Sequence, residues 1–456
     1  MSRYIAAIDL GTAKVVSIVG EVTPSGVKII GYHQAPSQGI MRGDVVNIQK
    51  VIDSLNPTLE YVNEQINTMP DTTPRKIKDV YVGISGHNLK CIENTIHRNR
   101  DNSFNKQLIS EDEVQTMIEE MFNTPVASTE QILHVIPQSY NVDEQIGCKE
   151  IVGMDGDSID GKYKIFVGKT SSATHTRSVL NRANLSIKKM ILSPIASAEA
   201  VLTEDEKELG VLMIDIGAGT SDVIIYYDHI IRHIAIIPFG GNAISMDIRQ
   251  TCSVSFKNAE LLKRQQGSCL SEQAPQNKHI GIKDKMGNIT QEIPCKLLAA
   301  TIEARVCEII ATALHELEKS GYKDKVKNIV ITGGSSSLNH IQSLAKEISK
   351  MNVRLAMPGN QNILNTSLND IYKPAAATAV GLILLGAADS KNEPQESELE
   401  FTNIWGEKTE DDPANAASGN NTNNSANGKK KKQEKKKGFK FSLSDIFKST
   451  ASDNEA

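Results

Sequence analysis

Short apolar runs ended by glycine-rich turns recur along this chain, and two of them open matched sets. Residues 210–214 (Gly-Val-Leu-Met-Ile) lead into Asp215-Ile216-Gly217-Ala218-Gly219-Thr220-Ser221-Asp222, after which Val223-Ile224-Ile225-Tyr226-Tyr227 is apolar again. Such a pattern predicts two buried strands joined by a tight turn. The chain opens in the same way: Tyr4 to Ile8 is apolar, Asp9-Leu10-Gly11-Thr12-Ala13-Lys14 is the turn, and Val15-Val16 resumes the run. Each set continues into a third strand, over 27–31 and 230–238. A repeat this far apart predicts two similar halves.

Between and after these sets the period changes. Val51, Ile52, Leu55, Leu59, Val62 and Ile66 fall at helical spacing over 47–69, ended by Pro70 and Pro74, and a buried strand is expected over 80–84. Residues 85–162 break the pattern with a polar crossing, a capped acidic helix start at Ser110-Glu111-Asp112-Glu113 and a strand pair within 132–143. This predicts an inserted subdomain, with Tyr163 to Gly168 restoring the parent sheet. A helix over 172–184, a strand over 187–192 and the small-residue helix from Pro194 to Leu202 follow. A further helix opens at Gly240-Gly241, 252–299 reads as irregular, 301–321 as a long amphipathic helix, and Ile329 to Leu338 as a third glycine turn after a strand.

Composition narrows the class. The 456 residues, 39% hydrophobic and 23% charged, suit two or three soluble domains. Cys91, Cys148, Cys252, Cys269, Cys295 and Cys307 stand singly, which fits a reducing compartment rather than a zinc site or disulfide framework. Asp9 interrupts the N-terminal run, so no signal peptide is expected, and the longest apolar stretch, 375–388, is too short to span a bilayer.

Past Gly386 periodicity stops. Residues 389–413 are acidic and 415–428 almost wholly Asn, Ser, Gly, Ala and Thr, a composition that predicts a disordered linker with a reach of roughly 40 Å. The last 28 residues are basic, with a net of +5, which leaves −10 on the rest. Drawn as a helix, Phe439, Leu443, Ile446 and Phe447 share a face beside the lysines, although Phe441 falls off it. A lysine cluster worth about 1 kcal/mol per charge near anionic headgroups, joined to such a face, favours a membrane-surface segment. A solvated charge run, a nucleic-acid tail and a linear motif for a protein groove are the competing readings.

The turns carry the candidate chemistry. Glycines at 11, 217 and 219 let backbone N–H groups approach an anion. Gly11, Thr12, Ala13 and Lys14 from one turn, with Gly217, Ala218, Gly219 and Thr220 from the other, would clamp a polyphosphate. Asp9 and Asp215, at the strand ends, would hold Mg²⁺ through water. Gly333, Gly334 and Ser335 form the third turn, either a place where a flat base has room to lie or a plain strand-to-helix turn with a serine cap. Glu260 and Lys263 share a helix face, either as a surface pair or as holders of ribose hydroxyls.

In order and content these turns resemble the actin/Hsp70/sugar-kinase superfamily. Within it the chain is similar to the bacterial cell-division family FtsA, on Ser37-Gln38-Gly39 with Arg42-Gly43, Ile132 to Gln138 with Val152-Gly153-Met154, Ala198 to Gly210, and Ile236 to Asn242.

The resemblance implies an α/β, actin-like fold of two RNase H-like halves around an ATP cleft, with an inserted subdomain, a linker and a C-terminal amphipathic helix. The first half is expected over 1–84, 163–203 and 372–388, with the insert over 85–162. The second covers 204–242 and 323–371, with a peripheral subdomain over 243–322, and the linker and tail follow over 389–428 and 429–456. It further implies ATP and Mg²⁺ as ligands, self-assembly into filaments and capture of the C-terminal peptide of the tubulin-like GTPase FtsZ. That peptide would dock near Arg305 and Glu308, or else these two form an ordinary salt-bridged surface. Recruitment of later division proteins through the insert, and attachment to the cytoplasmic face of the cell membrane at the division site, complete the expectation. Many superfamily ATPases carry Glu-Pro where this chain has Ser193-Pro194, and a serine is a poor general base, so at most slow hydrolysis is expected. A small-molecule kinase or chaperone-type ATPase is the alternative, and a DNA-segregation filament fits the acidic body poorly.

Overall fold

The computed structural model describes residues 3–68, 76–86, 88–100, 108–283, 286–359, 363–364 and 366–391. Residues 389–391, expected to open the linker, instead end the last helix, with Asp389 held by Lys189. The rest of the expected linker and the tail face of Phe439, Leu443, Ile446 and Phe447 lie outside the described residues.

Two sheets carry the repeat. In the first, the antiparallel strands Gly26–Pro36, Lys14–Thr23 and Arg3–Leu10 are followed by the parallel strands Asp79–Ile84 and Ser186–Leu192, and Ile363–Leu364 adds to the outer edge. In the second, Ile230–Ile237, Ser221–Tyr227 and Val211–Ile216 are antiparallel, and Asn328–Thr332 and Asn352–Leu355 follow in parallel. The two share one strand order and one pattern of directions. Both inner strands of each hairpin are buried on both faces, which is why they read as continuous apolar runs rather than alternating ones.

Helices cover these sheets where the spacing demands it. Helix Ile48–Asn67 begins at Asn47, whose side chain accepts from the Lys50 N–H, and buries Val51, Leu55, Leu59, Val62 and Ile66. The long helix is Cys295–Lys319, starting earlier than the amphipathic pattern suggested because Pro294 sets its entry. The small-residue helix Ser193–Val201 crosses the last helix, Ala377–Lys391, in backbone contact. A Cβ on Gly381 would lie 1.7 Å from the Ala196 carbonyl oxygen, so no other residue fits that crossing.

The insertion departs from expectation. Tyr163 to Gly168 does not return to the parent sheet: it lies inside strand Ser158–Lys169, which pairs with Lys90–Asn99 and Glu130–Val142 in a separate four-stranded sheet. An apolar run has no mark of which sheet it joins, and here the partners are its own neighbours in the insert. The stretch within 132–143 is likewise one strand rather than two, with Gln145–Cys148 as its hairpin partner. Helix Glu111–Met121, capped by Ser110, closes one face of this sheet over Val114, Met117 and Ile118. The stretch 252–299 is more ordered than it reads, holding helix Phe256–Gln266 and the hairpin His279–Lys283 with Ile289–Pro294.

Candidate functional site

The two hairpin turns face one another. Gly11 N–H bonds the Lys14 carbonyl at 3.0 Å, and Gly217 N–H bonds the Thr220 carbonyl at 3.0 Å, so both turns close in the same way. A Cβ on Gly219 would stand 2.4 Å from Thr12 Oγ1 and 3.0 Å from Arg42 Cα. Glycine at 219 is therefore what allows the turns to meet. Thr12 in turn accepts from the Gly43 N–H at 3.1 Å, tying the Arg42-Gly43 loop to the first turn.

Acids and one cation converge behind the turns. Lys14 donates to the Ala375 carbonyl oxygen, and burial pulls its ammonium below the ordinary lysine range, while Asp9 and Asp215 hold it up. Burial pushes Asp9 up to about 6 against the pull of Lys14, with Asp215 pressing the same way as burial. Asp215 is raised by burial too, and the Ser197 hydroxyl, donating to Oδ2 at 2.5 Å, and Lys14 oppose the rise. Asp222, opposite Asp215 in the hairpin register, is driven up to about 8 by burial and by Asp215. Its Oδ2 accepts from Ser85 at 3.4 Å, and the Thr220 and Ser85 hydroxyls oppose the rise. Three crowded carboxylates with one lysine among them form a place that a cation would relieve.

The remaining candidates fall around this centre in different ways. Gly333, at φ +88°, packs tightly on Asp215, where a Cβ would lie 2.2 Å from Oδ1. Gly334 meets only Ala375 Cβ, at 3.8 Å, and so has the open space. Ser335 donates to the Gly217 carbonyl at 3.0 Å, joining the third turn to the second.

Lys263 is 7% exposed, which removes the surface-pair reading for it. Its ammonium reaches the Gly241 carbonyl at 2.8 Å and Glu260 at 2.6 Å, and Ser245 also donates to Glu260. Since Gly241 N–H bonds the Gly217 carbonyl, the pair connects directly to the second turn.

Arg305 and Glu308 stand apart from this cluster. Arg305 forks onto Asp247 at 2.6 and 3.0 Å, stacks 5.8 Å from the Phe239 ring centre, and pairs with Glu308, which keeps an exposed side chain. Sequence reasoning missed Ser197 and Thr378, which hydrogen-bond each other at 2.9 Å beside Asp215. The one available signal was a hydroxyl among alanines on a helix otherwise packed backbone to backbone.

Two halves of one topology, meeting through glycine turns over buried acids, define the actin-like class of nucleotide-cleft folds. A family model described as cell division protein FtsA matches residues 212–381, and one described as the SHS2 domain inserted in FtsA matches 86–167. The cell division protein FtsA of Neisseria meningitidis serogroup B is 32% identical over 397 residues, covering 86% of this chain and 92% of that protein. That of Escherichia coli K12 is 29% identical over 410 residues, covering 88% and 94%. The chain belongs to the FtsA family of cell division proteins. Among solved structures, a type IV pilus biogenesis complex of PilM and PilN superposes with a TM-score of 0.59 at 15% identity, over 84% of this chain and 98% of that one, a likeness of fold.

Proposed function

We propose that this cell division protein binds ATP with Mg²⁺ between the two turns, polymerises as an actin-like filament and anchors the FtsZ ring to the cytoplasmic face of the cell membrane. The approach of Gly219 to Thr12 over the buried acids carries this reading. Gly11, Thr12, Ala13, Gly217, Ala218 and Thr220 would offer N–H groups and hydroxyls to the phosphates, Lys14 its charge, and Gly334 room for the base.

The metal would sit beside Asp9 and Asp215. Among the described residues no three His, Cys, Asp or Glu side chains stand together as a direct metal cage. Carboxylates of this kind suit a magnesium ion that keeps its waters. When bound, the ion would neutralise phosphate charge and favour the charged forms of Asp9, Asp215 and Asp222, which burial disfavours.

Ser193, at the start of the helix before Pro194, offers no group able to take a proton from water at neutral pH, which favours nucleotide as an assembly ligand over fast turnover. A small-molecule kinase or chaperone-type ATPase would need a carboxylate base beside its substrate, and turnover well above background would favour that reading. The FtsZ C-terminal peptide would dock near Arg305 and Glu308, later division proteins on the insert, and the basic tail on anionic lipid. Among the described residues no helix is long and apolar enough to cross a membrane. Weak tails would add up along a filament.

Calorimetry with MgATP tests the cleft, and co-sedimentation with FtsZ on anionic vesicles, with and without ATP, tests the assembly. Deleting residues 438–448 is expected to leave the protein out of the vesicle pellet. Absence of heat with ATP would remove the cleft assignment, and retention on vesicles would remove the tail assignment.

A further inference from the structure

A cavity of about 390 Å³ lies away from the turns, between the sheet of the insertion and the hairpin of the second half that ends in Ile230–Ile237. It falls within the size range of ligand pockets. Its floor is the polar face of the inserted sheet, and its roof includes Arg232 and Tyr322. The two bodies are pinned across it: Gln138 Nε2 donates to the Ile231 carbonyl at 3.0 Å and Lys164 Nζ to the Arg232 carbonyl at 2.6 Å.

The cavity is cationic. Lys149 is paired with Asp228, and Lys164 reaches Glu93 at 3.3 Å. The Arg232 guanidinium meets only the carbonyls of Tyr227 and Gln138, the Gln138 amide oxygen and the Tyr322 ring, and Lys162 is exposed with no carboxylate on it among the described residues. Two positive groups thus face the space uncompensated.

The sequence beyond Lys391 supplies the opposite charge. Glu396, Glu398 and Glu400 precede Phe401, Ile404 and Trp405, and Trp405 is the chain's single tryptophan. The last helix fixes where this stretch begins, because Asp389 is held by Lys189 at 2.8 Å on strand Ser186–Leu192, which packs against Glu130–Val142. Gln138 lies on that same strand. From Lys391, five to nine extended residues reach about 16–32 Å, against about 13 Å along the strand from His134, which feels the Lys189 charge, to Gln138 four residues on.

We propose that residues 396–405 of the same chain dock in this cavity, their glutamates on Lys162 and Arg232 and the side chains of Phe401 and Trp405 against Tyr322. Tethering gives the segment a high effective concentration, so modest contacts suffice. Docked there, it would bridge the insertion and the second half and shorten the tether of the basic tail.

Trp405 makes the test direct in the full chain. Its emission and acrylamide quenching are compared with those of a synthetic peptide of residues 393–412. Docking predicts blue-shifted, shielded emission that moves to the peptide's values in Lys162→Glu and at about 0.5 M salt. Shielding should return when Glu398→Lys and Glu400→Lys are added to Lys162→Glu, with circular dichroism confirming that each variant folds. Quenching in the intact chain equal to the peptide's, or shielding insensitive to both Lys162→Glu and salt, overturns the proposal. Shielding that disappears on dilution also overturns it, since the occupant is then a second copy.

Discussion

The Ser197 hydroxyl donates to Asp215 Oδ2 at 2.5 Å, and the pair sits where the small-residue helix meets the end of the second hairpin's first strand. Ser197 is fully buried, and Thr378 of the last helix bonds it from the other side. The bond favours the charged form of a carboxylate that burial disfavours.

Ser197→Ala is therefore expected to push Asp215 further up and weaken MgATP binding near neutral pH. Loss of a hydrogen bond to a charged group, about 1.5 kcal/mol, corresponds to roughly tenfold in affinity. Raising the pH should recover much of it, because the lost bond acts through ionisation. Calorimetric titrations at two pH values check this, and an unchanged affinity at both would count against Asp215 as an ion holder.

The two-half architecture and both turns were legible because double-sided burial writes unbroken apolar runs and the turns need glycine. Ser197 was not legible, since nothing local distinguishes a serine that buttresses an acid from one that fills space between helices. The same limit applies to the run from Tyr163 to Gly168: its apolarity announced a buried strand, while its sheet was decided by partners at Lys90–Asn99 and Glu130–Val142. Lys263 shows a third case, in which spacing allowed a surface pair but the backbone carbonyl of Gly241 drew the ammonium inside.

Gly219 and Gly334 separate the closing of the turns from room for the base. A methyl at 219 collides with Thr12 and the backbone of Arg42, so Gly219→Ala should part the two turns and lower MgATP affinity more than tenfold, with little loss of melting temperature. A methyl at 334 meets only Ala375 Cβ at 3.8 Å, so Gly334→Ala should leave stability intact and reduce affinity only if the base lies there. Thermal melts with and without nucleotide distinguish the two variants. Equal behaviour of both would contradict the assignment of the meeting point to 219.

Arg305 and Glu308 divide stability from recognition. Arg305 spans two helices through its fork on Asp247, so Arg305→Ala is expected to cost about 1 kcal/mol and lower the melting temperature by a few degrees. Glu308 is half exposed, and Glu308→Lys should leave the melt unchanged. If the FtsZ peptide docks on this face, the Glu308 variant changes its dissociation constant in a fluorescence-polarisation titration, and no change in a folded Glu308→Lys protein would place the peptide elsewhere.

The acids of the cleft make stability depend on pH in a direction opposite to that of an ordinary salt-bridged carboxylate. Asp222 is raised from 3.8 to about 8 and Asp9 from 3.8 to about 6, so the folded chain holds these protons more tightly than the unfolded chain does. Stability from this source is present at low pH and is lost as pH rises from about 4 to about 8, in two overlapping stages. A bound magnesium ion needs the carboxylates charged and removes their mutual repulsion. The gain in melting temperature on adding MgATP should therefore be larger near pH 8 than near pH 6. Asp222→Asn keeps the size of the side chain and cannot ionise, so it should flatten the decline of the nucleotide-free protein between about pH 6 and 8 and reduce it between about pH 4 and 6, where Asp9 still contributes. Melting curves of both proteins across that range, with and without MgATP, decide the point: a variant whose slope matches the parent's would mean that Asp222 does not titrate where its burial and its neighbour Asp215 place it.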